Sequence, residues 1–240
     1  MKTTNKQVKD LVIRLQDGLI SRTESVKYLG ILLDHHLTFR NHIENLCIKI
    51  SPAIGILSKV RWILPRKLCL QLYNSLIHSR LSYCIETWGS ASKSAIRPLE
   101  VLQKKVVRFI TFSSFTAHSP PLFKDLGILN IRKLYYLKIC IRVFKELQGL
   151  SIVEPVNFRV VNHGIVTRSA SNLSLCILLC NTTITNALSQ TMSFVGPRIY
   201  NDAPDVIKNT NSISLFKAKL KTWLLVNDPD VYKLIYPHTI

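Results

Sequence analysis

Residues 26–34 read Val-Lys-Tyr-Leu-Gly-Ile-Leu-Leu-Asp. This run is apolar and β-prone from Tyr28 to Leu33, with Lys27 near its start and Gly30 at its centre. A continuous apolar strand is what a sheet covered on both faces requires. Glycine packs nothing in such a strand, and it marks either a bulge or a place where another backbone comes close.

Upstream, Leu11–Gln16 is a short apolar/polar run, and Asp17-Gly18 follows. Asp-Gly between such runs is a hairpin signal, because the tight hairpin turns need positive φ. Leu19–Asp34 is then the expected return strand. Downstream the period changes. Ile43, Leu46, Ile50, Ile54, Leu57 and Val60 recur every three or four residues, as on one face of a helix. Thr38 or Asn41 can cap it, with Glu44 three residues after Asn41. Pro52 predicts a kink, or a restart capped by Ser51.

A second helix is expected from Pro65, with Leu68, Leu72 and Leu76 as its apolar stripe and Tyr73 beside it. After His78-Ser79-Arg80 the apolar pattern resumes at Leu81, Tyr83, Ile85 and Trp88. A third helix spans about Ser94 to Thr111, on Ile96, Leu99, Leu102, Val106 and Phe109. Residues 112–122 have loop composition. A fourth helix, capped by Asn130, follows through Leu134, Leu137, Ile141, Phe144 and Leu147. Residues 149–190 are poorly periodic and read as irregular or extended. A last helix covers Ser214–Val226, capped by Ser212 or Ser214, with Leu215, Phe216, Leu220, Trp223 and Leu224 facing inward. The fold class is therefore mainly α: a short N-terminal β-hairpin, a helical bundle, and an irregular C-terminal extension ending in a helix.

Charge is the strongest bulk property. The 240 residues carry 32 Lys+Arg against 14 Asp+Glu, a net charge of +18, so a polyanionic partner is expected. With 47% hydrophobic residues the chain can bury a core. The cysteines Cys47, Cys69, Cys84, Cys140, Cys176 and Cys180 are scattered through apolar stretches, the pattern of buried thiols in a reducing compartment. The N-terminal residues show no secretory apolar region, and no apolar run approaches the roughly 20 residues of a spanning helix. A soluble intracellular protein without a membrane partner is the expectation.

Arg97, Lys104 and Arg108 share one face of the third helix, and Lys138, Arg142 and Lys145 one face of the fourth. Basic faces opposite apolar ones suit a helix lying along a phosphate backbone. Metal binding has little support: Cys176 and Cys180 have no second Cys or His pair nearby, and the histidines show no ligand spacing. Two-metal phosphoryl transfer needs clustered carboxylates. Asp34, the pair Asp202 and Asp205, and the pair Asp228 and Asp230 do not form such a cluster by spacing, and read as caps or loop residues.

In their order, several segments resemble one family. Lys27-Tyr28-Leu29-Gly30-Ile31 with Asp34, then Leu37-Thr38-Phe39-Arg40-Asn41-His42-Ile43, is similar to the stretch just after the polymerase palm in non-LTR retrotransposon reverse transcriptases of the jockey-like and chicken-repeat-like groups. The resemblance continues through Leu72–Ile77, Leu81-Ser82-Tyr83 with Trp88-Gly89, Leu102–Lys105 with Arg108, Leu126–Leu129, Thr167–Ser169, and Gly196–Pro204. Tyr200-Asn201-Asp202-Ala203-Pro204 departs from the family's usual Trp-Asn-x-Leu-Pro, and Pro52 is foreign to its thumb.

The resemblance implies that residues 26–33 are the primer-grip strand. It implies domains at 1–40 (end of the palm), 41–112 (thumb), 113–150 (a further basic helix) and 151–240 (C-terminal extension). The implied partners are RNA and DNA as a template–primer duplex, and the upstream palm and fingers of the polymerase. The implied contacts are Lys27, Tyr28, Leu29 and Gly30 at the primer end, with Lys59, Arg61, Arg66, Lys67, Arg97, Lys104, Lys105 and Arg108 on phosphates. The catalytic Asp-Asp box would lie upstream of Met1, so no catalytic residue is expected here and the chain alone is expected to be inactive. The chain itself calls for no cofactor; magnesium is implied for the full polymerase, and a nuclear or cytoplasmic location for its work. The alternative is a non-enzymatic basic helical module that binds nucleic acid in its own right.

Overall fold

A computed structural model describes residues 13–15, 18–20, 23–150, 158–161, 174–177 and 191–236. It is mainly α with short antiparallel hairpins, in agreement with the sequence. β1 (Ile13–Leu15) pairs with β2 (Gly18–Ile20), and Leu15 faces Gly18 in the register. Gly18 is therefore a strand residue and not the second turn residue expected from Asp17-Gly18. Asp17 lies outside the described residues.

The long return strand is also corrected. β3 (Ser25–Tyr28) and β4 (Ile31–Asp34) form a hairpin of their own, with Tyr28 facing Ile31. Leu29 and Gly30 are its two-residue connection, at φ 45 and φ 84. Two successive left-handed residues make the tight turn whose twist suits a hairpin. Every residue of β3 is exposed, and only Ile31 of β4 is buried. The apolar run is thus a hairpin laid by one strand on the helices, not a strand sandwiched between layers.

The turn from β4 into α1 (Arg40–Val60) is closed by Asp34. Its carboxylate accepts from the Thr38 N–H and hydroxyl, both at 2.9 Å, and from the Phe39 N–H at 2.8 Å. Leu37 and Phe39 sit at φ 52 and φ 56, positions that side chains avoid unless held. The side-chain cap expected from Thr38 or Asn41 is not made: Phe39 stands at the N-cap, and Asp34 fixes the turn that leads into the helix. α1 runs unbroken through Pro52, so the expected restart does not occur. Pro52 is exposed, as is Ile48 four residues before it, so water can satisfy the carbonyl the proline leaves unbonded.

α2 (Arg66–Tyr73) continues through a single π-helical turn, Asn74–His78, into α3 (Ser79–Ser82). The buried stripe is Cys69, Tyr73, Ile77 and Leu81, one residue out of phase with the expected Leu68, Leu72 and Leu76. Tyr73 can occupy the centre of that stripe because its hydroxyl finds a partner there. α4 (Ile85–Trp88) is followed by α5 (Lys93–Ile110), whose N-cap Ser92 accepts from the Ala95 N–H. α6 (Ser119–Leu126) begins within the expected loop, with Pro120 and Pro121 in its first turn, where a missing N–H has no consequence. α7 (Ile131–Leu147) has the expected Asn130 cap, at 2.9 Å from the Lys133 N–H.

β5 (Phe158–Val161) and β6 (Ser174–Ile177) pair antiparallel. The rest of 151–190, with Thr167–Ser169 and Cys180, lies outside the described residues. The C-terminal part is α8 (Met192–Asp202), α9 (Asp205–Lys208), α10 (Ile213–Val226) and α11 (Val231–Ile235). Only α10 was legible as a helix; in it Phe216, Leu220 and Leu224 are buried while Leu215 is exposed.

α1 packs on α5, and α7 packs on α8 and α10. Phe144 and Phe216 stack at 4.3 Å, and the Tyr136 hydroxyl donates to Asp202 at 3.0 Å. Buried side chains from Ile31 to Ile235 form one continuous cluster. Each fully buried Leu, Ile or Phe contributes roughly 1.5–3 kcal/mol relative to exposure. The node that fixes α5 is polar. Gln103 is buried and donates to the Tyr73 hydroxyl at 2.9 Å and the Leu129 carbonyl at 3.0 Å, and accepts from the Ile131 N–H at 2.9 Å. One side chain thereby joins α2, α5 and the start of α7.

Candidate nucleic-acid interface

The hairpin tip is held in place by the helices below it. The Tyr83 hydroxyl donates to the Leu29 carbonyl at 2.7 Å, and the Leu32 N–H points at His42 Nδ1 at 3.4 Å. Burial, and then the charge of Lys49, push the His42 pKa down, which favours the neutral ring that can accept. For Asp34, burial alone would raise the pKa, but the hydrogen bonds from Thr38 and Phe39 outweigh it and the carboxyl titrates below its ordinary value.

Lys27, Tyr28 and Leu29 are exposed on this tip. A Cβ on Gly30 would meet only the Tyr83 ring, at an ordinary 3.7 Å. Glycine is required there by φ 84 and not by crowding.

The nine basic residues among the twelve expected to touch nucleic acid separate into two groups. Lys59, Lys67, Arg97, Lys104 and Lys105 are exposed, like Lys27, and none of the six enters an ion pair among the described residues. Arg97 and Lys104 lie seven residues apart on α5, about 10 Å along one face at 1.5 Å per residue. The remaining arginines are tied to the protein. Arg66 pairs with Asp125 at the surface. Arg108 donates to the Ala117 carbonyl through Nε and Nη2, at 3.0 and 2.9 Å. Arg61 lies 4.6 Å from the Trp62 ring, 5.1 Å from Phe109 and 5.2 Å from Phe112.

The fourth-helix basic face is altered as well: Arg142 pairs with Glu146 at 2.9 Å. Lys138 and Lys145 instead line a groove of about 600 Å³ with Lys217 and Lys221 of α10 and His78 of the π turn. Burial, then Lys138 and Lys221, depress the His78 pKa, so the groove is positive without it. The two α10 lysines escaped sequence reasoning because their partners are some eighty residues away. Gln103 escaped it too, although a polar residue in step with Leu99 and Val106 is a readable sign of a buried network.

No group of three or more His, Cys, Asp or Glu side chains gathers among the described residues in a way that could hold a metal. The carboxylates singled out above have other work. Asp34 closes a turn, Asp202 accepts from Tyr136, Asp205 pairs with Lys208, and Asp228 pairs with Lys133. Asp230 caps α11. The described residues do not fit a magnesium site. Cys69 and Cys140 are buried thiols, whereas Cys84 is exposed in a left-handed turn between α3 and α4. No helix among the described residues is long and apolar enough to cross a membrane.

No protein-family profile matches the chain, and no solved structure matches it either. Curated proteins do match. The RNA-directed DNA polymerase from mobile element jockey of Drosophila funebris is 30% identical over 125 residues, which is 50% of this chain and 13% of that protein. The probable RNA-directed DNA polymerase from transposon X-element of Drosophila melanogaster is 27% identical over 125 residues, with the same coverage. The probable RNA-directed DNA polymerase from transposon BS of the same species is 28% identical over 127 residues. The matched stretch spans about an eighth of the length of these relatives, 13% or 14%. Over half its length, this chain is similar to the RNA-directed DNA polymerases of jockey-like non-LTR retrotransposons.

Proposed function

We propose that this chain serves as the C-terminal part of a retrotransposon reverse transcriptase, where it binds and positions the template–primer duplex in the nucleus or cytoplasm. In this reading the catalytic aspartates and their magnesium belong to the palm of the same polymerase. The hairpin tip at Lys27, Tyr28, Leu29 and Gly30 faces the primer end, and the helices beneath it carry the phosphate contacts.

The observation that carries the reading is the set of six exposed cations without acidic partners among the described residues, Lys27, Lys59, Lys67, Arg97, Lys104 and Lys105, on a chain similar to polymerases of this class. Unpaired surface cations release counterions when they meet phosphates, and each adds about 0.9 to the salt slope of binding. Arg61, Arg66 and Arg108 act in this scheme as props for the surface.

The test is binding of a labelled RNA–DNA hybrid, followed by fluorescence anisotropy as salt is raised. With about six phosphates neutralised, affinity should fall on the order of a thousandfold between 50 and 200 mM salt. Weak binding with little salt dependence would refute the proposal.

A further inference from the structure

A second surface feature is aromatic. Trp62, Ile63 and Phe115 are 70%, 82% and 72% exposed, and Phe112 is half exposed. Trp62 follows the end of α1, and Phe112 and Phe115 follow the end of α5. Because α1 packs on α5, the two ends meet. Trp62 and Phe112 lie edge to face at 5.1 Å, and Phe115 stands edge-on to Phe109 at 6.0 Å.

Phe112 is also strained. α5 ends in a paired closure: the Phe112 N–H donates to the Phe109 carbonyl at 3.3 Å and the Ser113 N–H to the Arg108 carbonyl at 3.1 Å. The left-handed residue of that motif is usually glycine, yet here it is Phe112 at φ 55. A bulky ring held in an unfavourable conformation and left half in water is the kind of outlier that points to a role.

The surroundings choose the partner. Residues 58–68 and 101–118 contain no Asp or Glu, and between them carry Lys59, Arg61, Arg66, Lys67, Lys104, Lys105 and Arg108; among the described residues the acid paired with them is Asp125, on Arg66. A partner for this surface must be anionic and must offer flat faces to the rings. We infer that Trp62, Phe112 and Phe115 form a stacking platform for unpaired bases of single-stranded nucleic acid, with the flanking lysines on its phosphates. The inference rests on the nucleic-acid reading above and adds the single-stranded class to it. Base–aromatic stacking contributes to such binding whatever the base, because each base has a π face.

The experiment uses the full chain with a short oligothymidylate, a blunt RNA–DNA hybrid and inorganic polyphosphate. Trp62 is exposed, whereas Trp88 is buried and Trp223 partly so. Oligothymidylate should therefore quench tryptophan emission, and Trp62→Phe should remove most of that quenching. Trp62→Ala should weaken oligothymidylate binding by about 5- to 150-fold for each stacked base lost, with little effect on the blunt hybrid. Phe112→Gly keeps the helix end, since glycine is favoured there, and should weaken the same binding.

Oligothymidylate binding that both variants leave unchanged would overturn the inference, as would equal quenching by polyphosphate. A concentration-dependent dimer in sedimentation that Trp62→Ala abolishes would make the patch a protein interface, and would also overturn it. If the hybrid fails to bind while Trp62-dependent quenching persists, the duplex reading falls and the platform stands.

Discussion

Gln103→Leu removes the polar node that holds α5, and its cost can be worked from the contacts. The substitution deletes hydrogen bonds of 2.9, 3.0 and 2.9 Å and leaves the Tyr73 hydroxyl, the Leu129 carbonyl and the Ile131 N–H facing an apolar side chain. Tyr73, Leu129 and Ile131 are all buried, so water does not readily replace the lost partner. An orphaned buried polar group costs about 1–3 kcal/mol. Allowing for some relaxation, the three together cost roughly 3–6 kcal/mol, and leucine recovers only part of this through its apolar surface. For a chain of this size each kcal/mol lowers Tm by about 2–4 °C, so a drop on the order of 10 °C is expected.

Tyr73→Phe in the Gln103→Leu background removes one orphan, and should return about 1–3 kcal/mol. The two changes are then coupled in a double-mutant cycle. Urea denaturation of the four proteins measures it. A Gln103→Leu variant within about 0.5 kcal/mol of the parent, the scatter of ordinary surface changes, would refute the reasoning, and so would an additive cycle. The site depends on this node because α5 carries Arg97, Lys104 and Lys105.

Three further outcomes follow from the hairpin and its anchor. Leu29→Asn should stabilise the fold by up to about 1 kcal/mol in denaturant melts, since asparagine tolerates the left-handed conformation that strains leucine, and Asn-Gly is the favoured pair for this turn. Gly30→Ala at φ 84 should cost about 1–2 kcal/mol in the same assay. Asp34→Ala should cost about 1–2 kcal/mol at neutral pH through loss of the turn's acceptor. Because the folded pKa of Asp34 lies below its unfolded value near 3.9, its contribution is present above that pH and is lost as pH falls through the folded pKa. The gap between parent and variant should therefore close in melts below about pH 4.

The helical stripes were legible because α1 and α5 each bury one long face: Ile43 to Leu57, and Ile96, Leu99, Val106 and Phe109, are buried where their spacing predicts, while Leu102 is only partly buried and Gln103 is buried beside it. The Asn130 cap was legible because it is local. What failed to show depends on distant groups. Asp34 fixes the entry to α1 by reaching across a turn, and neither Thr38 nor Asn41 caps the helix. The stripe of α2 shifts by one residue because Gln103, thirty positions on, gives Tyr73 a partner inside. The run at 26–34 reads as one strand until Leu29 is seen at positive φ, a conformation that its side chain does not advertise. In the candidate interface, exposure of the lysines followed from composition. The binding of Arg61, Arg66 and Arg108 to a ring cluster, to Asp125 and to a carbonyl is tertiary, and no local pattern announces it.

The most direct test of the account is the salt slope of RNA–DNA hybrid binding in the parent and in a Lys59→Gln, Lys67→Gln, Lys104→Gln variant. These three side chains are exposed and make no ion pairs among the described residues, so the variant should keep its fold by circular dichroism. If they neutralise phosphates, the slope of log K against log salt should become shallower by about 0.9 for each, close to three units in all. An unchanged slope in a folded variant would contradict the claim that this surface holds the duplex.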